Sequence, residues 1–545
     1  MVHYGRMTAT AAETTTTAGT ATETVAPRRS LPPTLTPELV ARLTSQVRSS
    51  SGQTITTTAP YTGTALAELP QCSEADVDAA FDRARKAQRQ WAARPVRERA
   101  RVFLRLHDLV LARQDEIMDL IQAENGKSRR DAFLEVADIA NTSRYYARTA
   151  RGLLRTKRRT GLLPVLTSTR ELRQPKGVVA VISPWNYPLA LAAGDTIPAL
   201  IAGNAVVQKP DNQTALTALW ALSLAREAGL PADLWQMVLG RGSTIGSVLL
   251  DRADYVMFTG STPSGKRIAE QAGARLIGCS LELGGKNAML VLDDADLDRT
   301  VEGAVRACFS SSGQLCISIE RMYVQDAIYE SFVSRFVEAV RAMSLGSGYD
   351  FGHDMGSLTS PDQLAAVVAH VDDAVANGAS VLVGGTSRPD LGPLFYEPTV
   401  LTGVTPAVKC FGQETFGPLV SIYRFADLDD GVSRANDTAY GLNASVWTKN
   451  ARRGREVASR LQSGTVNINE GYGAAWGSID APMGGMGESG LGRRHGSEGL
   501  LKYTEAQTVA HQRFMNIAPP GGMSHQSFAT MMTRALSLLR RVGWR

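Results

Sequence analysis

At 545 residues the chain is too long for one hydrophobic core and should divide into two or three domains. Hydrophobic residues at 43% and charged residues at 20% are ordinary for a globular protein. The net charge of +5 is small and partly gathered in the last residues, with no basic stripe interleaved with aromatics, so nucleic acid is not an expected partner. Five scattered cysteines form no CxxC pair, no Cys/His cluster and no disulfide framework, which leaves no metal site to expect and points to a reducing compartment. The N-terminus lacks an apolar leader and no run of 18 apolar residues occurs, so no integral membrane segment is expected and the reading is cytoplasmic.

Residues 1–33 are rich in Thr and Ala and end in Pro32-Pro33, a composition that buries little and is expected to be disordered. From the capping Ser73, the spacing of Val77, Ala80, Phe81, Ala84 and Ala87 predicts helix, continuing to about Leu154 with breaks near Ala93-Arg94-Pro95 and at Gly126. At Gly177 the rhythm changes. Short apolar runs at 178–182, 205–208, 237–239, 255–258 and 289–292 alternate with helical stretches, the pattern of buried parallel strands in an α/β fold. No internal repeat is present. Beyond Pro519-Pro520-Gly521-Gly522, the residues Phe528, Met531, Met532, Ala535, Leu538, Leu539 and Val542 can form an apolar helix face opposite arginines. That face could pack on its own protein, stay unstructured, or serve a membrane surface or a partner.

Four stretches carry possible chemistry. Ser183-Pro-Trp-Asn-Tyr-Pro188 follows a predicted strand, where ligands of open α/β sheets bind, and the Asn186 carboxamide could donate to an oxygen gaining charge. Taken alone it reads more readily as an ordinary Pro-bounded turn. Phe258-Thr-Gly-Ser-Thr-Pro-Ser-Gly265 also leaves a strand and enters a helix, so that Gly260 and Gly265 would let backbone amides approach a pyrophosphate. It is not GxGxxG, and neither it nor Gly240-Arg-Gly-Ser-Thr-Ile-Gly246 is specific by itself. Leu281-Glu-Leu-Gly-Gly-Lys-Asn287 sets a Glu before paired glycines, and Ser312-Gly-Gln-Leu-Cys-Ile317 sets Cys316 after a short polar loop. A single Cys is more often a small buried hydrophobe than a nucleophile.

Together and in this order, with Glu414-Thr-Phe-Gly-Pro418, these stretches resemble the aldehyde dehydrogenase superfamily from about Thr54 to Gln507. The resemblance implies a Rossmann-type NAD(P)-binding domain over 34–283 and an α/β catalytic domain over 284–475. It also implies a return to the cofactor domain over 476–515, an oligomerisation excursion near 155–173, and a basic tail over 516–545. It implies Cys316 as the nucleophile that forms a thiohemiacetal and then a thioester, Asn186 and the Cys316 backbone N–H as oxyanion donors, and Glu282 as the base for hydrolysis to a free acid. For the cofactor it implies Trp185, Lys209, Asn212, Gly242, Gly260, Ser261, Glu414 and Phe416. NAD-preferring members often carry Glu where Asn212 stands. That change favours NADP over NAD, although the neighbouring Asp211 blurs the inference.

The chain is most similar to bacterial members assigned as succinate-semialdehyde dehydrogenases, notably at Pro482-Met-Gly-Gly-Met-Gly487 and Gly313–Arg321. The two arginines that hold the substrate carboxylate in that group fall here on Gly194 and Ser310. Either another cation substitutes, with Arg321 a candidate, or the substrate is an uncharged aliphatic or aromatic aldehyde. The family resemblance further implies a homodimer or homotetramer that pairs through the excursion and the strand near Tyr503–Arg513. Two other classes are set against this reading. One is a thiol hydrolase, but none of the seven histidines sits in a recognisable Cys-protease signature. The other is a non-catalytic cofactor-binding oligomer, which the intact Asn186, Glu282 and Cys316 speak against.

Overall fold

The computed structural model describes residues 31–161, 167–513 and 518–543. The Thr/Ala-rich stretch expected to be disordered lies outside them up to residue 30, and Leu31 packs against the first core. The helical region resolves into four helices, Glu74–Ala92, Val96–Ala112, Gln114–Asn125 and Arg129–Leu153. The first carries a capping box in which the Ser73 and Asp76 side chains and backbones bond reciprocally. The breaks at residues 93–95 and at Gly126, where φ is +82°, fall where the sequence places them. A further break at Arg113 has no Gly or Pro to announce it.

The fold is α/β and holds two main sheets. The first runs Gly490–Leu491, Gly278–Glu282, Tyr255–Thr259, Val178–Ser183, Ala205–Pro210, Trp235–Met237, all parallel except the short Gly490–Leu491 edge. Its strands are buried on both faces, which is why they read as continuous apolar runs rather than alternating ones. The second sheet has seven strands in the order Ser380–Val383, Thr399–Thr402, Leu419–Phe425, Ile319–Gln325, Asn287–Val291, Asn443–Trp447, Thr465–Ile468, with only Ser380–Val383 antiparallel.

The link between the sheets is four residues, Leu283-Gly-Gly-Lys286, joining Gly278–Glu282 directly to Asn287–Val291. The carboxyl ends of the first sheet's strands therefore face the amino ends of the second's. Asn186, Lys209, Gly260 and Glu282 come from the former side, Cys316 and Glu414 from the latter. A third, antiparallel sheet stands apart: Thr504–Gln512 pairs over nine residues with Thr167–Pro175, which pairs in turn with Lys157–Arg159.

Candidate active site

Cys316 sits between a 3-10 turn at Ser310–Gly313 and the strand Ile319–Gln325. Ser311, Ser312 and Gly313 all have positive φ (54°, 56° and 70°), a costly run for two serines. Asp131 holds it by accepting from the Ser311 N–H at 2.8 Å, and a Cβ on Gly313 would lie 2.0 Å from the Gly417 carbonyl oxygen. Beyond the cysteine, Asn287 Nδ2 donates to the Cys316 and Ser318 carbonyl oxygens at 2.8 and 2.7 Å. The loop is thus clamped on both sides of the thiol.

The paired glycines now have a reason. A Cβ on Gly285 would stand 2.9 Å from the Cys316 carbonyl oxygen, and one on Gly284 would stand 2.3 Å from a Glu414 carboxylate oxygen. Only residues without side chains let the linker pass between these loops. The Gly285 N–H donates to Glu414 Oε1 at 2.8 Å.

Asn186 is buried at the start of the helix Pro188–Ala202, and its Nδ2 donates to the Gln314 carbonyl oxygen at 3.1 Å, tying it to the cysteine loop. Behind it lies a fully buried ion pair. Lys127 Nζ donates to Glu135 Oε1 at 2.7 Å and to the Asn186 carbonyl oxygen at 2.6 Å, and it lies 3.7 Å over the Tyr187 ring. The other Glu135 oxygen accepts from the Leu189 and Ala190 N–H groups at the helix start.

Glu282 is buried, and its Oε1 has no hydrogen-bond partner. Burial pushes its carboxyl up to about 7, moderated by Arg494, Lys502 and Arg493 and reinforced by Asp195. Burial likewise pushes the Cys316 thiol up to about 12. Arg494 opposes this, Glu414 and Glu282 add to it, and the thiol's own backbone N–H favours the thiolate.

Cys316 and Asn186 line one cavity together with Tyr146, Tyr187, Leu191, Gly194, Leu315, Trp476 and Met483, closed by Asp138, Asp195 and Arg494. Sequence reasoning passed over these three charges. Arg494 Nη2 donates to Asp195 Oδ2 at 2.7 Å and to Thr259 Oγ1 at 3.2 Å, while its buried Nε has no partner. Lys502 Nζ stands 3.8 Å from Asp195. Asp138 Oδ1 is also buried without a partner, and burial pushes that carboxyl up to about 7. The signal available was Arg493-Arg494 shortly after the quoted Gly-Met-Gly stretch. Asp138 and Asp195 had none, being single carboxylates within helical stretches.

Gly194 lines this cavity as expected of the position, whereas Ser310 bonds the Tyr472 hydroxyl. Arg321, the candidate cation for the substrate carboxylate, does not line this cavity. It is buried in the second sheet, donating to the Lys286, Arg434 and Ala435 carbonyl oxygens.

The expected cofactor residues stand at or just past the carboxyl ends of the first sheet's strands and on the Glu414–Phe416 loop. Trp185 meets Phe416 edge to face with ring centroids 5.6 Å apart. Phe416 holds φ at +54°, and the Thr415 and Phe416 N–H groups both donate to Glu320, itself paired with Lys286. Burial pushes the Glu414 carboxyl up to about 8. Lys209 Nζ bonds the Pro210 carbonyl oxygen at 3.3 Å, and Asn212 Oδ1 is buried without a partner. Asp211 caps the following turn through the Gln213 N–H. Gly242 and Ser261 lie at the starts of the helices Gly242–Arg252 and Thr262–Ala274, with open space around Gly242. A Cβ on Gly260 would meet the Phe258 ring at 2.5 Å. The two helix N-termini at Gly242 and Ser261 suit the pyrophosphate of a dinucleotide. Among the described residues no group of three or more His, Cys, Asp or Glu could hold a metal ion.

The model of the aldehyde dehydrogenase family matches residues 47–509. A Mycobacterium ulcerans protein, named provisionally as succinate-semialdehyde dehydrogenase [NADP(+)] 2, is 57% identical over 463 residues, 85% of this chain and 89% of that protein. The 3-sulfolactaldehyde dehydrogenase of Pseudomonas putida is 37% identical over 469 residues, 85% of this chain and 94% of the relative. The crystal structure of a betaine aldehyde dehydrogenase point mutant from Staphylococcus aureus, in complex with NAD+, superposes with a TM-score of 0.84 at 30% identity. That superposition covers 88% of this chain and 98% of the other. The chain belongs to the aldehyde dehydrogenase family.

Proposed function

We propose that this aldehyde dehydrogenase oxidises succinate semialdehyde to succinate with NADP, using Cys316 as nucleophile, Asn186 as oxyanion donor and Glu282 as general base. The observation that carries the reading is one cavity in which Cys316 and Asn186 share walls with Arg494, whose Nε has no partner. This guanidinium, with Nη2 engaged by Asp195 and Thr259 and Nε without a partner, would be the cation that Gly194 and Ser310 do not supply.

In this scheme the Cys316 thiol, which burial holds toward the protonated form, passes its proton to solvent water before attack. The sulfur then bonds to the aldehyde carbon. The former carbonyl oxygen becomes an oxyanion and receives hydrogen bonds from the Asn186 amide and the Cys316 N–H. NADP+, where bound, would supply the hydride acceptor for that carbon. Water then attacks the resulting thioester, Glu282 takes its proton, the C–S bond breaks, and the acid leaves. Glu282 suits this work because it is buried, lacks a partner on Oε1 and changes charge near 7.

Lys209, Asn212, Gly242, Gly260, Ser261, Trp185, Glu414 and Phe416 would hold the cofactor. The neutral Asn212, which brings no charge to repel a 2′-phosphate, and an Asp211 engaged in capping favour NADP over NAD. Two relatives are named for anionic aldehydes, which agrees with Arg494 as the anchor. A second reading, an uncharged aldehyde, is favoured by the Asp138 and Asp195 carboxylates and the apolar walls. The same proposal takes the domain division at residues 283–284 and 475–476. It makes the protein a cytoplasmic homodimer or homotetramer built on the exposed strand Thr504–Gln512.

The test is reduced-cofactor absorbance with succinate semialdehyde and with butanal, each crossed against NADP and NAD. The highest kcat/KM with succinate semialdehyde and NADP supports the proposal, and a clear preference for butanal overturns its substrate.

A further inference from the structure

We propose that the C-terminal helix His525–Arg541 is a surface anchor that lies in the headgroup region of an anionic lipid bilayer. The helix is capped by Ser524, which accepts from the Ser527 N–H, and contains no buried residue. It follows Pro519-Pro520-Gly521-Gly522, past the end of the strand Thr504–Gln512 and past residue 509, where the family match stops. The fold and active site described above do not require it.

Its residues are sorted by angle. At 100° per residue, Phe528, Met531, Met532, Ala535, Leu536, Leu538, Leu539 and Val542 fall within less than half the circumference. Phe528, Met532, Ala535 and Leu539 along the middle of this arc are half-covered, while Leu538 and Val542 remain 59% and 65% exposed. Arg540 flanks one margin of the arc and Arg534 and Arg541 lie toward the other. Thr530, Thr533 and Ser537 fill the far side, their hydroxyls donating to backbone carbonyls four residues back.

The charge selects the occupant. No Asp or Glu follows Glu505, whereas Arg513, Arg534, Arg540, Arg541 and Arg545 do. An isolated helix of this length with little packing is marginal in water, so an apolar face left this open gains most from a surface that buries it. A bilayer carrying anionic headgroups matches both the apolar arc and the arginines beside it. Among the described residues no helix is long and apolar enough to cross a membrane, so the helix would lie on the bilayer rather than span it.

The experiment is flotation of the full-length protein with vesicles of phosphatidylcholine alone, or of phosphatidylcholine mixed with phosphatidylglycerol. Binding to the mixed vesicles is expected, weakening as salt is raised. Neutralising Arg534, Arg540 and Arg541 to Ser one at a time should each weaken partition about fivefold. Leu538→Asp and deletion of residues 518–545 should abolish it while dehydrogenase turnover in solution is retained, which shows that the variants are folded. Absence of vesicle binding, equal binding to neutral and anionic vesicles, or binding that survives the deletion overturns the proposal. So does a deletion that lowers the oligomeric mass without affecting vesicle binding, since a second copy would then cover the face.

Discussion

Replacing Glu282 by Gln separates what this carboxylate does for chemistry from what it costs the fold. The side chain is 5% exposed, with one oxygen lacking any partner, so it is far easier to bury neutral than ionised. A carboxyl that titrates near 7 in the folded protein and near 4.5 in the open chain disfavours the ionised fold by about 3 kcal/mol. The sign follows from the raised value. Below about 4.5 the group is neutral in both states and contributes no pH-dependent term. As the pH rises to 7 the unfolded chain ionises first, and folding loses stability until both states are charged.

Glutamine is nearly isosteric with the neutral acid and never ionises. Its stability relative to wild type should therefore be close to zero near pH 4.5 and rise to about 3 kcal/mol in favour of the mutant by pH 8. Urea-unfolding midpoints of both proteins across that range measure the difference. Rapid mixing with aldehyde and cofactor measures the other half. The mutant should give a burst of reduced cofactor followed by slow turnover, and wild-type thioester hydrolysis should fall about tenfold per pH unit below 7. A stability difference flat in pH would refute the raised ionisation. Loss of the burst would instead place Glu282 before or during hydride transfer.

Three further substitutions test neighbouring parts of the site. Asn186→Ala should lower kcat/KM by about two to three orders of magnitude, the usual loss for one oxyanion donor, with cofactor affinity by fluorescence unchanged. Arg494→Gln should lower kcat/KM for succinate semialdehyde by about 1.5–3 kcal/mol more than for butanal. The ratio of the two substrates cancels any change in Glu282, and an equal loss for both would remove Arg494 from carboxylate binding. Lys127→Met leaves Glu135 buried without its ion partner, and about 3–5 kcal/mol of stability should be lost in thermal or urea unfolding. The double change Lys127→Met with Glu135→Gln should recover a large part of it.

The sequence made the scaffold legible where local rules decide. The capping Ser73, the Gly126 break and the apolar runs buried on both faces of the first sheet depend on nearest neighbours and periodicity, and they stand where pattern places them. The break at Arg113 went unread because packing, not a Gly or Pro, decides it. Motif order was enough to identify the family, and the structure then supplied reasons that motifs lack, such as Gly284 and Gly285 giving way to Glu414 and the Cys316 loop.

What stayed hidden was the charge inside the cavity. Asp138, Asp195 and Arg494 come from three separate stretches of chain, and only tertiary folding sets Arg494 against Asp195 beside Cys316. Sequence weighed Arg321 for the missing cation because it lies near the cysteine in the chain, yet its guanidinium is engaged by the Lys286, Arg434 and Ala435 carbonyls. Nearness along the chain is a poor guide in a site built where two sheets meet end to end. Cys316, in its loop, lines the cavity, while Arg321, five positions on, is buried in the strand Ile319–Gln325 of the second sheet. The substrate question therefore rests on the balance between one guanidinium and two carboxylates, one of which, Asp138, is half neutral near pH 7. If an anionic substrate enters, it should favour protonated Asp138, so its KM should rise as the pH climbs above 7 while that of butanal stays level. A KM for succinate semialdehyde that is flat through that window would mean that Asp138 does not sense the bound carboxylate.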